Sequence, residues 1–134
     1  MEDCVFCQIA RGKRPASLIY EDERVMAFLD ARPVTEGHTL VIPKKHYENI
    51  LEIPDSELAE VYRIVKKVAF AVSKSEKADG IRIVQNNGRA ANQVIFHFHV
   101  HVVPAHEGHE PKRSNRMLEH SELEQVAAKI RVFI

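Results

Sequence analysis

Three histidines, His97, His99 and His101, alternate with Phe98, Val100 and Val102. In an extended chain, residues two apart point to the same side, roughly 6.5–7 Å from one another. The spacing predicts three imidazoles on one face of a strand and an apolar packing face behind. A single strand histidine is most often an incidental surface residue, but three in strict alternation point to chemistry. Neutral imidazole has a free lone pair at pH 7 and suits nucleophilic attack on phosphorus. One neighbour must then fix its tautomer, and others must neutralise charge on the phosphate oxygens. Three histidines and a water also make a catalytic zinc site. Ligands at i, i+2 and i+4 on a flat strand converge poorly on one ion, however.

Cys4 and Cys7, the only cysteines, are spaced as C-x-x-C. In a reducing compartment a permanent disulfide is disfavoured, which leaves metal ligation, redox chemistry or no role. No βαβ unit surrounds the pair, which argues against a thioredoxin-like use. A closed tetrahedral zinc site would need two further ligands.

These residues must be carried by elements that the pattern outlines. Residues 4–10 read as a short helical turn ending at Gly12. Residues 18–20 and 24–29 read as a hairpin around Glu21-Asp22-Glu23. Residues 30–37 form a loop marked by Pro33 and Gly37, and the β-branched content of 38–43 predicts a buried strand. Pro54-Asp55 opens a helix with Asp55 as N-cap. Leu58, Val61, Tyr62, Val65, Val68, Ala69 and Val72 form its apolar stripe, read as core. A strand over 81–85, a polar loop at 86–88 and a strand over 94–103 follow. The chain is then polar to about 120, the one stretch expected to be flexible, with His106 and His109 read as solvated. A last helix is expected with Ser121 and Glu124 as its capping box and Leu123, Val126, Ala127 and Ile130 on one face. Strands, helix, strands, helix with short connections imply an α+β fold: a mostly antiparallel five-stranded sheet, one long helix and a C-terminal helix.

The chain has 134 residues and zero formal net charge. That length fits a single domain, 1–134, able to bury a core without disulfides. Neutrality gives no footprint for nucleic acid or a membrane surface. No apolar run approaches the ~20 residues of a membrane span. The acidic start, Met1-Glu2-Asp3, lacks the features of a signal peptide, so the expected location is cytoplasmic.

The run His97-Phe98-His99-Val100-His101-Val102-Val103 reads His-φ-His-φ-His-φ-φ, with φ apolar. It resembles the signature of the histidine triad (HIT) family of nucleotide hydrolases and transferases. Phe28-Leu29-Asp30, the run from Gly37 through His38 to Lys44, and Asn86-Asn87-Gly88 before Gln93 resemble the family in the same order. The resemblance covers roughly residues 4–104, leaving 105–134 as a tail and helix, and is greatest to the bacterial, Hint-like branch. It implies a nucleotide hydrolase acting on purine nucleoside phosphoramidates, adenylates or dinucleotides, with His99 forming a nucleotidyl-histidine. A nucleotidyltransferase using the same intermediate and a nucleotide-binding regulatory protein are the alternatives. By resemblance, His101 would bond the phosphate or leaving group, and His38 would hold the nucleophile and phosphate. Asp30 would bind the ribose hydroxyls. Phe6, Ile9, Phe28 and Leu40 would surround the purine. Asn86, Gln93 and the Val94 N–H would lie near the phosphate. The branch with Cys-x-x-Cys binds structural zinc, and the matching ligands are Cys4, Cys7, His46 and His97. No catalytic metal is implied, and the partners implied are an AMP-like purine nucleotide and a second copy in a homodimer. Asn92 stands where the family commonly has Gly. Asn tolerates left-handed backbone angles, so the turn is expected to survive. The chain has no Trp, so an aromatic tail cap is absent.

Overall fold

The computed structural model describes residues 3–134; Met1 and Glu2 of the acidic start lie outside the described residues. Period-two alternation sorts the strand side chains into two apolar layers. In β2 (Val25–Leu29) and β3 (Thr39–Pro43), Val25, Ala27, Leu29 and Val41 enter one layer. Met26, Phe28, Leu40 and Ile42 enter the other. The first layer is covered by α2 (Asp55–Ser75), through Val61, Ile64, Val65, Val68 and Val72, and by α3 (His120–Arg131), through Leu123, Ala127 and Ile130. The second is covered by α1 (Val5–Ala10), through Phe6 and Ile9. Both strands are therefore buried on both faces, which explains why they read as continuous apolar runs.

With β1 (Leu18–Glu21), β4 (Gly80–Val84) and β5 (Val100–Ala105) the sheet has five strands in the order β1-β2-β3-β5-β4, every pair antiparallel. The expected α+β fold is the fold observed. Leu40 pairs with His101, so that histidine emerges on the α1 side while Val100 and Val102 enter the α2 layer. No helix among the described residues is long and apolar enough to cross a membrane.

Several boundaries differ from the pattern. The last strand begins at Val100, not at 94. Side chains and a neighbouring loop divert the backbone before it: Ile95 C=O accepts from the Gln93 amide, His97 C=O bonds the His99 ring, and Phe98 N–H donates to Tyr47 C=O at 2.6 Å. Asp55 is the first residue of α2 and Pro54 its N-cap, without a side-chain bond. Proline's fixed φ, here −66°, suits the entry to a helix. The capping box of α3 is Glu119 with Glu122, two residues before the expected pair; Glu122 accepts from the Glu119 N–H at 2.9 Å. The polar stretch past β5 also has fixed partners, because Ser114 and Leu118 N–H groups donate to Pro33 and Ala31 carbonyls at 2.9 and 2.8 Å.

Candidate active site and metal centre

Backbone partners assign the histidine tautomers. Val34 N–H donates to His38 Nδ1 at 3.1 Å, so His38 carries its proton on Nε2. That Nε2–H donates to His101 Nδ1 at 2.9 Å, so His101 carries its own proton on Nε2. His99 Nδ1 lies 2.6 Å from the His97 carbonyl, which only accepts, so Nδ1 is protonated and Nε2 keeps its lone pair. The result is a basic nitrogen on His99 next to a ring, His101, that offers an N–H. The two ring centres are 5.0 Å apart.

Burial is the main cause that lowers the pKa of all three rings, outweighing the nearby Asp30 carboxylate. His101 is pushed down to about 4 by burial and then by its His99 and His38 neighbours. The cluster is therefore neutral at neutral pH. It can attack phosphorus without prior deprotonation and can donate hydrogen bonds to phosphate oxygens.

His97 parts company with the other two. Expected on the same face of a strand, it lies before the strand and turns into the metal cluster. Its Nε2–H donates to Pro43 C=O at 2.8 Å, which leaves the Nδ1 lone pair facing the cysteines. Nδ1 is 3.4 Å from Cys4 Sγ and 3.6 Å from Cys7 Sγ, and Cys7 Sγ is 3.4 Å from His46 Nδ1. Tetrahedral zinc, with bonds of about 2.3 Å to sulfur and 2.05 Å to nitrogen, requires sulfur–nitrogen edges of about 3.6 Å. The ligand atoms of Cys4, Cys7, His46 and His97 all lie within 4.8 Å of one another. Two thiols and two imidazoles at this spacing fit a closed tetrahedral ion. Such an ion would join α1 to the segment leading into β5, and burial keeps His97 in the neutral form that ligation needs.

Asp30, His38 and His101 also bring their donor atoms within 4.8 Å. The tautomers argue against a cation there, since the His38 nitrogen facing the group carries a proton. Asp30 instead accepts from the Arg32 N–H through Oδ1 at 2.8 Å, and its Oδ2 lies 3.6 Å from His38 Nε2.

The four apolar residues expected around a base sit together. Phe6, Ile9, Phe28 and Leu40 form one cluster under α1, with the Phe6 ring edge-on to His99 at 5.1 Å and to Phe28 at 5.5 Å. The polar loop is more divided. Gln93 faces inward: its amide hydrogens go to Glu48 C=O at 2.7 Å and Ile95 C=O at 3.1 Å, and its oxygen accepts from Gly88 N–H at 2.7 Å. In this structure the side chain braces the loop, so its amide is spent on the protein. Asn86 is half-buried, and Val94 is 79% exposed. Asn92 adopts the left-handed conformation, φ 71°, as its residue type allows.

Arg113 was not singled out by the sequence. Its Nη1 lies 3.3 Å from Asp30 Oδ2 and donates to Arg32 C=O at 2.6 Å. An arginine 83 residues from its carboxylate, in a polar tail, carries no local signal of that contact.

Residues 11–108 match the HIT domain. An uncharacterized HIT-like protein of Saccharolobus solfataricus is 50% identical over 101 residues, 75% of this chain and 73% of its own. The adenylylsulfatase HINT3 of Arabidopsis thaliana is 43% identical over 105 residues, 78% of this chain and 53% of that longer protein. Among solved structures, a hypothetical histidine triad nucleotide-binding protein of Sulfolobus tokodaii superposes with a TM-score of 0.88 at 42% identity, covering 96% of this chain and 90% of its own. A zinc-bound histidine triad family protein of Mycobacterium smegmatis superposes with a TM-score of 0.87 at 38% identity, covering 98% and 92%.

Proposed function

The chain belongs to the HIT domain family, and from that premise we propose that it is a nucleotide hydrolase cleaving purine nucleoside 5′-phosphoramidates or related adenylates and dinucleotides through a nucleotidyl-histidine. The observation that carries this reading is the hydrogen-bond chain that leaves His99 Nε2 unprotonated while the His97 carbonyl holds the opposite ring nitrogen. In the first half-reaction the Nε2–phosphorus bond forms as the bond to the leaving group breaks, and a leaving amine departs with a proton taken from solvent water. Positive charge spreads over the modified ring, and the His97 carbonyl keeps Nδ1–H in place. In the second half-reaction water attacks phosphorus and gives up a proton to the solvent, the nitrogen–phosphorus bond breaks and neutral imidazole returns. Two easier displacements replace one hard one. His101 Nε2–H bears phosphate charge, His38 holds the His101 ring in place through its Nε2–H, Asp30 accepts from the ribose hydroxyls, and the Phe6, Ile9, Phe28 and Leu40 cluster flanks the purine. Asn86, Gln93 and the Val94 N–H complete the phosphate side, Gln93 by holding the loop. No step uses a catalytic metal.

The plant adenylylsulfatase adds adenylyl sulfate to the substrates worth testing, because sulfate leaves without needing a proton. The test is the intact mass of the protein after rapid, acid-free quenching with adenosine 5′-phosphoramidate, in wild type and His99→Ala. An adduct of one AMP in the wild type and none in the variant is expected. Full activity in the variant would falsify the assignment. Nucleotidyl transfer differs only in the second acceptor, and product analysis with added phosphate acceptors separates it. Tight nucleotide binding with no turnover would favour a regulatory binding protein.

Structural zinc on Cys4, Cys7, His46 and His97 is part of this reading. It is supported by the donor spacing and by the zinc-bound relative. Zinc would tie α1 and its Phe6 to the His99 segment and supply no open coordination site. A homodimer and a cytoplasmic location complete it. The outer edge of β4 and the partly exposed Ile83 offer a surface for a second copy. A monomer mass in light scattering would remove the dimer.

A further inference from the structure

The tail after β5 folds back over the ribose side of the proposed site. Lys112 N–H donates to Val34 C=O at 3.4 Å, Ser114 N–H to Pro33 C=O at 2.9 Å and Leu118 N–H to Ala31 C=O at 2.8 Å. From the loop, Arg32 Nη2 donates to Ser114 C=O at 3.3 Å. Residue 113 is thus fixed between two anchored neighbours, and its guanidinium is placed by the fold rather than by a free tail. Nη1 donates to Arg32 C=O at 2.6 Å and approaches Asp30 Oδ2 at 3.3 Å. The opposite oxygen, Oδ1, accepts from the Arg32 N–H at 2.8 Å. Each carboxylate oxygen therefore has its own donor, one local and one from the tail, and the carboxylate plane is set from both ends. Its side chain is only 14% exposed.

A carboxylate has about four lone-pair sites. With one on each oxygen occupied, the remaining two form a fixed pair of acceptors. That is the pattern that receives the two hydroxyls of a vicinal diol.

We propose that Arg113 is a positioning residue that sets the Asp30 carboxylate for the cis-diol of a ribonucleotide, so that the C-terminal tail helps to determine selectivity for ribose over deoxygenated sugars. Arg113 acts through Asp30 and need not touch the reacting atoms. The proposal rests on the nucleotide reading of the site and on Asp30 as its ribose ligand.

The test compares kcat/KM for adenosine 5′-phosphoramidate and its 2′,3′-dideoxy analogue in wild type, Asp30→Asn and Arg113→Met. Met keeps much of the apolar stem and removes the charge and the fork. Wild type prefers the ribonucleotide, and Asp30→Asn loses that preference. Arg113→Met lowers the ratio of the two constants about threefold, the scale of a half-exposed ion pair. A general loss of structure would lower both constants together and leave the ratio alone. A preference lost in Asp30→Asn but equal or greater in Arg113→Met overturns the role of Arg113 alone. No turnover of either compound by wild type, or a preference that survives Asp30→Asn, removes the premise and this proposal with it.

Discussion

Zinc added back to metal-free protein probes the Cys4, Cys7, His46 and His97 cluster without a substitution that could prevent folding. The sulfur–nitrogen separations of 3.4–3.6 Å already match the edges of a tetrahedral ion, so little conformational work opposes binding. Binding to the folded chain alone stabilises by RT ln(1 + [L]/Kd), about 2.7 kcal/mol at a free zinc concentration 100 times Kd. For a chain of this size, each kcal/mol raises Tm by about 4 °C, giving a rise of about 10 °C. Thermal unfolding followed by circular dichroism, at fixed free zinc, reads it directly. Burial, and then the neighbouring Cys4 sulfur, hold the Cys7 thiol above its ordinary value. Ligation as thiolate must release that proton, so the apparent affinity climbs with pH. An unchanged Tm at saturating zinc would refute the reasoning. So would an equal rise in a Cys4→Ser, Cys7→Ser variant, because the ion would then be held elsewhere.

Four further outcomes rest on the same geometry. Protonation of His99 Nε2 removes its lone pair, and burial places that pKa below the ordinary histidine value, so the acid limb of kcat/KM should fall below pH 6.5; a midpoint at or above 6.5 would contradict it. Because burial depresses the folded pKa values of His38 and His101 to about 4, stability from their neutral forms is present above pH 6.5 and is lost as pH falls towards about 4, measurable as a falling urea midpoint. Gly37 has φ +95°, and a Cβ there would stand 2.8 Å from Glu76 Cγ, a side chain itself tied to Lys129; Gly37→Ala should cost about 2 kcal/mol in urea unfolding, and an unchanged midpoint would remove the strain argument. Gln93→Leu removes the buried amide that joins the Gly88 N–H to the Glu48 and Ile95 carbonyls, at about 1–3 kcal/mol in urea unfolding; a loss under about 1 kcal/mol would show that water replaces the amide.

The order of elements and the chemical inventory are legible in the chain, although several boundaries are not. The unbroken apolar run from Val25 to Leu29 reflects a strand buried on both faces, and the stripe Val61, Val65, Val68 and Val72 reflects one packed helix face. Those patterns are local consequences of backbone geometry and are therefore legible. The His-x-His-x-His spacing and the Cys-x-x-Cys pair likewise stand in the chain. The division of the histidines does not follow from their spacing, although the family resemblance already set His97 with the cysteines. Periodicity placed His97 beside His99 and His101, but the chain before Val100 is bent by side-chain and loop bonds, and His97 turns to the cysteines. The tautomers depended on carbonyls and N–H groups supplied by Val34, Pro43 and His97, which no residue type encodes. Arg113 reaches Asp30 because the tail pairs with the 31–34 loop, and contacts across 83 residues leave no period to read. Residue types fix which groups a chain can offer; which lone pair or proton each presents is set by partners that only folding brings near.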